Sequence, residues 1–380
     1  MKPQTVYSKV KKHLEGCAFL TANFDNVPEV PFADLEQHLP LFRYHAPVVD
    51  STAPRLSKVF DIVCERLKVP RAHVHGFIIP SPETGACCRQ DIKGHAAIVL
   101  NSGLIERFGD GELSQVVGHE LGHFLLPVQH DRVANGRPAS WEDARYSRHA
   151  EIAMDRIGLV ASRDLTAACK MLLKIHVGLS EAEFNYDVDA FLAGTAVGFT
   201  APVGDIDARS EHPHIPLRLR ALILFAQSDY YQAITGGGGG IPLADVNAII
   251  AGELAQAVDD YVDTSVAKAL SGVSSCLFAL IAVTGATECL PKLAMVGLVP
   301  DLEMAKDMAE RWSSHPEEEW VGVYKLELSA YLESAVFRCP RLLNQYFAAL
   351  RQEFAGTDME LKLEEVIEVF NHSVASMQAQ

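Results

Sequence analysis

The sequence of 380 residues lacks several features that mark specialised classes of protein. Its eight cysteines include no CxxC pair and are irregularly spaced, which argues against a zinc knuckle or a disulfide framework. The adjacent Cys87 and Cys88 are interpreted as reduced residues rather than a redox pair. The first residues contain no apolar run typical of a secretory signal, so we expect a reducing, cytoplasmic setting.

Positive charge is also scarce. The chain has 33 basic against 49 acidic residues, a formal net charge of -16, so we expect neither nucleic acid nor an anionic membrane as a partner. Hydrophobic residues make up 48% and charged residues 22%, as in ordinary globular proteins. One uncharged stretch lies between Lys268 and Glu288, but serine, threonine and glycine dilute it. We therefore predict a buried helix there rather than a membrane span.

The pattern of apolar residues predicts an α+β, mostly α, fold with a small β-sheet. Helices are expected over 53–68, from an N-cap at Asp110 to Pro127, over 144–161 and over 217–231. Strands are expected over 74–79 and 96–100. The glycines at 236–240 are interpreted as a linker, a glycine turn inside one domain being the alternative. The predicted domains are an N-terminal segment packing on the catalytic domain (1–54), a zincin-like catalytic domain (55–232), a linker (233–240) and an all-helical region (241–380).

The segment His119-Glu120-Leu121-Gly122-His123 is the strongest chemical signal in the chain. Histidines four residues apart share one face of a helix, so both imidazoles can reach one zinc ion. In an HExxH motif the glutamate acts as general base beside the metal rather than as a ligand. Gly122 is expected to let another backbone approach this helix closely.

A catalytic zinc site usually takes a third protein ligand. Glu151 and Asp155 project from one face of the next predicted helix, which permits one carboxylate as a ligand and the other as the acceptor for a ligand imidazole. The downstream residues considered for the third position are His130, Glu142, Asp143, His149 and Glu151.

The order of these motifs resembles peptidase family M48, the gluzincins that include the CAAX prenyl proteases and the HtpX heat-shock proteases. After HExxH, the segment from Ser147 to Leu159 resembles the family's second metal-binding helix, with Met154 where the family usually has alanine. His212-Pro213 with Arg218 resembles a further family segment. The strand and turn at 97–104 resemble the family's edge strand and the turn that follows it. The resemblance covers about 55–232 and implies a soluble branch, since membrane-embedded relatives carry transmembrane helices around the catalytic helices.

The resemblance implies a role for each matching residue. One Zn2+ per chain would be bound by His119, His123 and Glu151, with Glu120 as the base. Asp155 would support a ligand histidine, and Arg218 would have a structural or active-site role. His212 would stabilise the oxyanion or occupy the open metal position.

These residues predict a zinc metalloendopeptidase that hydrolyses peptides or unfolded proteins. The strand at 96–100 is expected to bind extended substrate by strand addition, which requires that one of its edges be open. The alternatives are a catalytically silent or self-inhibited M48-like fold that acts as a binding or chaperone-like protein, and a zinc hydrolase of non-peptide bonds. An intact Glu120 argues against a silent protein.

Overall fold

A computed structural model describes residues 4–22, 24, 45–89, 95–126, 140–196 and 203–378. The chain divides into two compact units, each assembled from separated stretches of sequence. The first consists of Met1–Gln129, Tyr146–Pro202 and Glu211–Ala257, and the second of His130–Arg145, Val203–Ser210 and Val258–Gln380.

A four-stranded sheet lies in the first unit, with the strand order β1-β2-β4-β3. The central strands β2 and β4 are parallel, and each pairs antiparallel with an outer strand. The predicted strands at 74–79 and 96–100 are confirmed as β2 and β4. The strands are β1 (Ala46–Pro47), β2 (Val74–Ile79), β3 (Ala86–Arg89) and β4 (Ala96–Asn101).

The prediction that the strand at 96–100 binds substrate by strand addition is wrong. This strand, β4, pairs with β2 on one side and β3 on the other, so its backbone hydrogen bonds are already used. The strand that borders the sheet on this side is β3, which the sequence pattern did not reveal.

Most of the described chain is helical, which confirms the predicted mostly helical α+β class. In chain order they are α1 (Gln4–Leu14), α2 (Pro54–Leu67), α3 (Ser102–Arg107), α4 (Asp110–Leu125), α5 (Trp141–Ser162), α6 (Leu165–Val177), α7 (Val188–Thr195), α8 (Asp205–Arg209), α9 (Ile215–Ala226), α10 (Asp229–Thr235), α11 (Leu243–Leu254), α12 (Asp260–Thr284), α13 (Leu290–Met295), α14 (Leu302–Ser313), α15 (Glu317–Arg338), α16 (Pro340–Phe354) and α17 (Glu360–Gln378).

Two predicted helix boundaries are shifted for local reasons. Asp110 is the first residue of α4 and not its N-cap, because its carboxylate pairs with Arg55 Nε at 2.6 Å. Glu112 instead accepts a hydrogen bond from the Gly109 N–H at 2.7 Å. The helix predicted over 217–231 is two helices, since the Ser228 hydroxyl caps the start of α10. Pro127, the predicted end of α4, lies outside the described residues.

The glycines at 236–240 lie inside the first unit. Two backbone hydrogen bonds join Ile241, which follows the glycines, to residues that precede them. The Ile241 carbonyl accepts from the Asp229 N–H at 2.8 Å, and the Ile241 N–H donates to the Gln227 carbonyl at 2.9 Å. A Cβ on Gly240, whose φ is +118°, would stand 2.7 Å from the Asp229 nitrogen. The run is therefore a tightly folded turn here, while the predicted domain boundaries stay a prediction.

The second unit has its own apolar core, formed by α12 to α17. Trp312, Leu328 and Phe354 are among its fully buried residues. The uncharged stretch of α12 supplies Cys276, Leu277 and other residues of this core, in agreement with the predicted buried helix. The helical run Leu243–Thr284 is long and apolar enough to cross a membrane, and 56% of its most apolar window is buried in the protein.

Candidate metal centre

The HExxH helix α4 crosses α5 at glycines, which brings the ligand-bearing backbones together. A Cβ on Gly118 would stand 2.5 Å from the Ala161 Cβ and 2.9 Å from the Gly158 Cα. A Cβ on Gly122 would meet the Met154 sulfur at 2.7 Å and the Met154 Cα at 3.4 Å. The close approach expected at Gly122 is therefore present. The equivalent role of Gly118 was not recognised from the sequence.

Three potential ligands converge where these helices meet. The ligand atoms of His119, His123 and Glu151 all lie within 4.8 Å of one another. His119 Nε2 is 3.5 Å from Glu151 Oε2, and His123 Nε2 is 3.5 Å from Glu151 Oε1. His119 is 9% exposed and Glu151 6%, so the donors are held in a largely buried position.

Asp155 orients the first of these ligands. His119 Nδ1 lies 3.1 Å from Asp155 Oδ1, so an Nδ1–H donated to that carboxylate leaves the Nε2 lone pair facing Glu151. Arg218 donates to both Asp155 oxygens, Nε at 2.8 Å and Nη2 at 2.7 Å. Burial favours the neutral acid, but the charge and hydrogen bonds of Arg218 and His119 outweigh it and lower the pKa of Asp155 to about 2.

The donor set fits zinc. Two neutral imidazoles and one carboxylate are a common ligand set of catalytic zinc, which leaves one position open. Glu151 Oε2 is buried and accepts no hydrogen bond from the described residues, although the Arg218 charge lies 3.2 Å away. A cation held between Glu151 and the two histidines would satisfy this oxygen.

Glu120 lies beside the three donors on the same helix. Burial raises the pKa of Glu120 to about 7, and the neighbouring Glu151 adds to the effect while His119 opposes it. The Glu120 carboxylate accepts a hydrogen bond from the backbone N–H of Cys88 on β3. A carboxyl group that titrates near neutrality is suited to accept a proton and return it.

His212 reaches the same centre from the loop between α8 and α9. Its Nε2 lies 3.5 Å from Glu151 Oε1, the same separation that the two HExxH histidines have from Glu151. Its side chain is 62% exposed, so solvent or a ligand can approach it. The structure thus brings His212 and Arg218 to the HExxH helix, as the motif order predicted.

A cavity of about 220 Å³ opens beside these residues. Its lining includes the polar His119, Glu120 and His212 and the apolar Leu104, Val116, Met171 and Ile175. The backbone of Gly85 and Ala86, at the start of β3, forms part of the rim. The apolar wall comes from α3, α4 and α6, and the sequence motifs gave no sign of it.

The other residues considered for the third ligand position have different partners. Asp143 Oδ1 accepts a hydrogen bond from Arg341 Nη2 at 2.7 Å, and Glu142 accepts one from the Arg341 N–H at 3.2 Å. The His149 ring lies 2.9 Å from the Thr21 hydroxyl. His130 lies outside the described residues.

Comparison with known proteins finds one family in this region. Residues 50–133 match the model of peptidase family M48. A protease HtpX homologue of Trichormus variabilis is 30% identical over 79 residues, which are 21% of this chain and 27% of the relative. One of Levilactobacillus brevis is 34% identical over 73 residues, 19% of this chain and 24% of the relative. The matches thus span about a quarter of each relative, and no solved structure matches significantly.

Proposed function

We propose that the chain is a zinc-dependent endopeptidase, because residues 50–133 match the model of peptidase family M48. One observation carries the proposal: His119, His123 and Glu151 place their ligand atoms within 4.8 Å of one another beside Glu120. The family match ends before Glu151, so the third ligand rests on the geometry of α5 alone.

The side chains divide the reaction between them. Zinc held by His119, His123 and Glu151 would supply Lewis acidity and make water a stronger acid. Glu120 takes the proton of the attacking water and passes it to the leaving amine. His212 donates a hydrogen bond to the carbonyl oxygen as negative charge develops there.

The edge of β3 is the proposed binding surface for an extended substrate. The Gly85 carbonyl accepts a hydrogen bond from the Asn101 N–H, so the alternate residues Ala86 and Cys88 direct their backbone groups away from β4, and of these the Cys88 N–H is donated to Glu120. A peptide added along this edge would run beside Glu120 and the cavity. The apolar cavity wall favours a substrate with a hydrophobic side chain next to the cleaved bond.

Zinc content and cleavage of casein by the wild type and by Glu120→Gln test the proposal. We expect equal zinc content in both proteins, at least one ion per chain, and cleavage by the wild type only. The amide of the Glu120→Gln variant cannot accept the proton of the attacking water. His119→Ala combined with His123→Ala, which should bind one zinc fewer than the wild type and cleave no casein, is the matched control for the site. Equal cleavage by Glu120→Gln and the wild type would contradict the assigned base.

A self-inhibited peptidase is the second candidate, and the position of His212 favours it. An imidazole as close to Glu151 as the two HExxH histidines can also fill the open metal position. His212→Ala distinguishes the two roles. Faster cleavage would show that His212 blocks the site, whereas cleavage slowed about 100-fold, the cost typical of losing one oxyanion donor, would show that it assists the reaction.

A further inference from the structure

Three histidines come together at the start of the two central strands. In the parallel register of β2 and β4, Val74 pairs with Ala96 and His75 with Ala97. The same register carried one residue back sets His73 opposite His95. Since side chains of a strand alternate between faces, His75 and the position of His95 lie on one face of the sheet, and His73, the last residue of a short 3-10 helix (Arg71–His73) before β2, lies next to His95.

The spacing of His75 and His95 fits metal coordination, whereas His73 stands farther off. His75 Nε2 lies 3.1 Å from His95 Nδ1, and the two ring centroids are 5.2 Å apart. Two imidazole nitrogens bound tetrahedrally to one zinc, each at about 2.0–2.1 Å, stand about 3.3–3.4 Å from each other. The His73 ring centroid is 5.9 Å from that of His95, at an interplanar angle of 65°. For His73 to join the pair as a ligand, its partly exposed ring would have to rotate towards them.

Among the described residues, one permanent positive charge acts on His75. The nearby Arg71, whose charge acts on His75, is paired with Asp61 at 2.9 Å. His95 is 7% exposed, whereas His73 and His75 are partly exposed, so an ion can enter from the side of the latter two.

We propose that His75 and His95, with His73 as the third ligand, bind a second divalent transition-metal ion such as Zn2+. Imidazole donors favour zinc, copper and nickel over calcium or magnesium. The ion would tie the first residues of β2 to those of β4. The role of the ion would be to stabilise this sheet, from which β4 leads through α3 into the HExxH helix. The proposed binding does not depend on peptidase activity.

Zinc stoichiometry after gel filtration, measured with Zn2+ as the only added metal, tests the site. We expect two ions in the wild type and one in the His119→Ala/His123→Ala variant. We also expect one in His75→Gln/His95→Asn, whose amides reproduce the hydrogen bond of Nε2 and Nδ1 but are poor zinc ligands. His73→Ala should weaken binding at this site about 10-fold or more without abolishing it.

Two further measurements keep the test decisive. Circular dichroism of each variant reports whether it folds, and His372→Ala, at an exposed histidine of α17, should retain both ions. In the His119→Ala/His123→Ala background, added Zn2+ should raise the melting temperature, and His75→Gln/His95→Asn should remove that rise. Unchanged zinc content in folded His75→Gln/His95→Asn, or no zinc in the His119→Ala/His123→Ala variant, would overturn the proposal.

Discussion

Asp155 connects a metal ligand to a buried arginine, so its substitution should change both zinc affinity and stability. It is 1% exposed and hydrogen-bonds His119 and Arg218. In Asp155→Asn the neutral amide no longer balances Arg218 and orients His119 less firmly. We expect zinc affinity to fall about 10- to 100-fold and the free energy of unfolding to fall by about 3 kcal/mol, as measured by zinc titration and urea unfolding.

The pair of Arg220 and Glu253 is the matched control for Asp155. It also joins a guanidinium to a carboxylate through several hydrogen bonds, but the Arg220 side chain is 48% exposed. Glu253→Gln should change the free energy of unfolding by less than about 1 kcal/mol and leave zinc affinity unchanged. Equal effects of Asp155→Asn and Glu253→Gln would contradict the role given to Asp155.

Individual site residues were predictable wherever a short-range rule applied. The spacing of His119 and His123, and of Glu151 and Asp155, follows from helix geometry, so one helical turn sets each pair. The partners of Glu120 did not follow from any such rule, because Cys88 reaches it from a strand more than thirty residues away. The apolar cavity wall likewise combines Leu104 with Met171, which only tertiary packing brings together.

At the scale of elements, the crossing of α4 and α5 sets the distance between His119 and Glu151. Gly118→Ala would place a Cβ 2.5 Å from that of Ala161 and push the helices apart. We expect a loss of about 1–3 kcal/mol in stability together with weaker zinc binding. Gly252→Ala, on α11, has nothing within 4 Å of the new Cβ and should gain about 0.5–1 kcal/mol. Stabilisation by Gly118→Ala with unchanged zinc affinity would contradict the close crossing.

The edge strand β3 shows where sequence patterns fail for a short element. Ala86-Cys87-Cys88-Arg89 has no β-branched or aromatic residue, and its four residues are too few to establish an alternation. It forms a strand because β4 offers it a buried partner with Ile98 and Val99 in register. The strands β2 and β4 were predictable because their runs of apolar residues are longer.

Thiol labelling tests the exposure and the proposed use of β3. Cys87 is exposed and Cys88 partly so, whereas the other six cysteines are buried. A maleimide should therefore modify Cys87 first, although burial and Glu120 raise its pKa and slow the reaction at neutral pH. The bulky adduct beside the strand edge should reduce casein cleavage, and Cys87→Ser should be protected. Full activity after modification of Cys87 would argue against substrate binding along β3.

At the scale of the whole molecule, the second unit has an apolar core of its own, which predicts that it responds separately in unfolding. Zinc at 100 times its dissociation constant stabilises the unit that binds it by about 2.7 kcal/mol, so it should move one calorimetric transition. Leu328→Ala removes a fully buried side chain of the second unit and should reduce the free energy of unfolding of that unit by about 2–5 kcal/mol. The midpoint temperature of the other transition should fall accordingly. Leu326→Ala, on the same helix α15 but 74% exposed, should leave both transitions in place. A single transition moved by zinc and by Leu328→Ala alike would mean that the units unfold together.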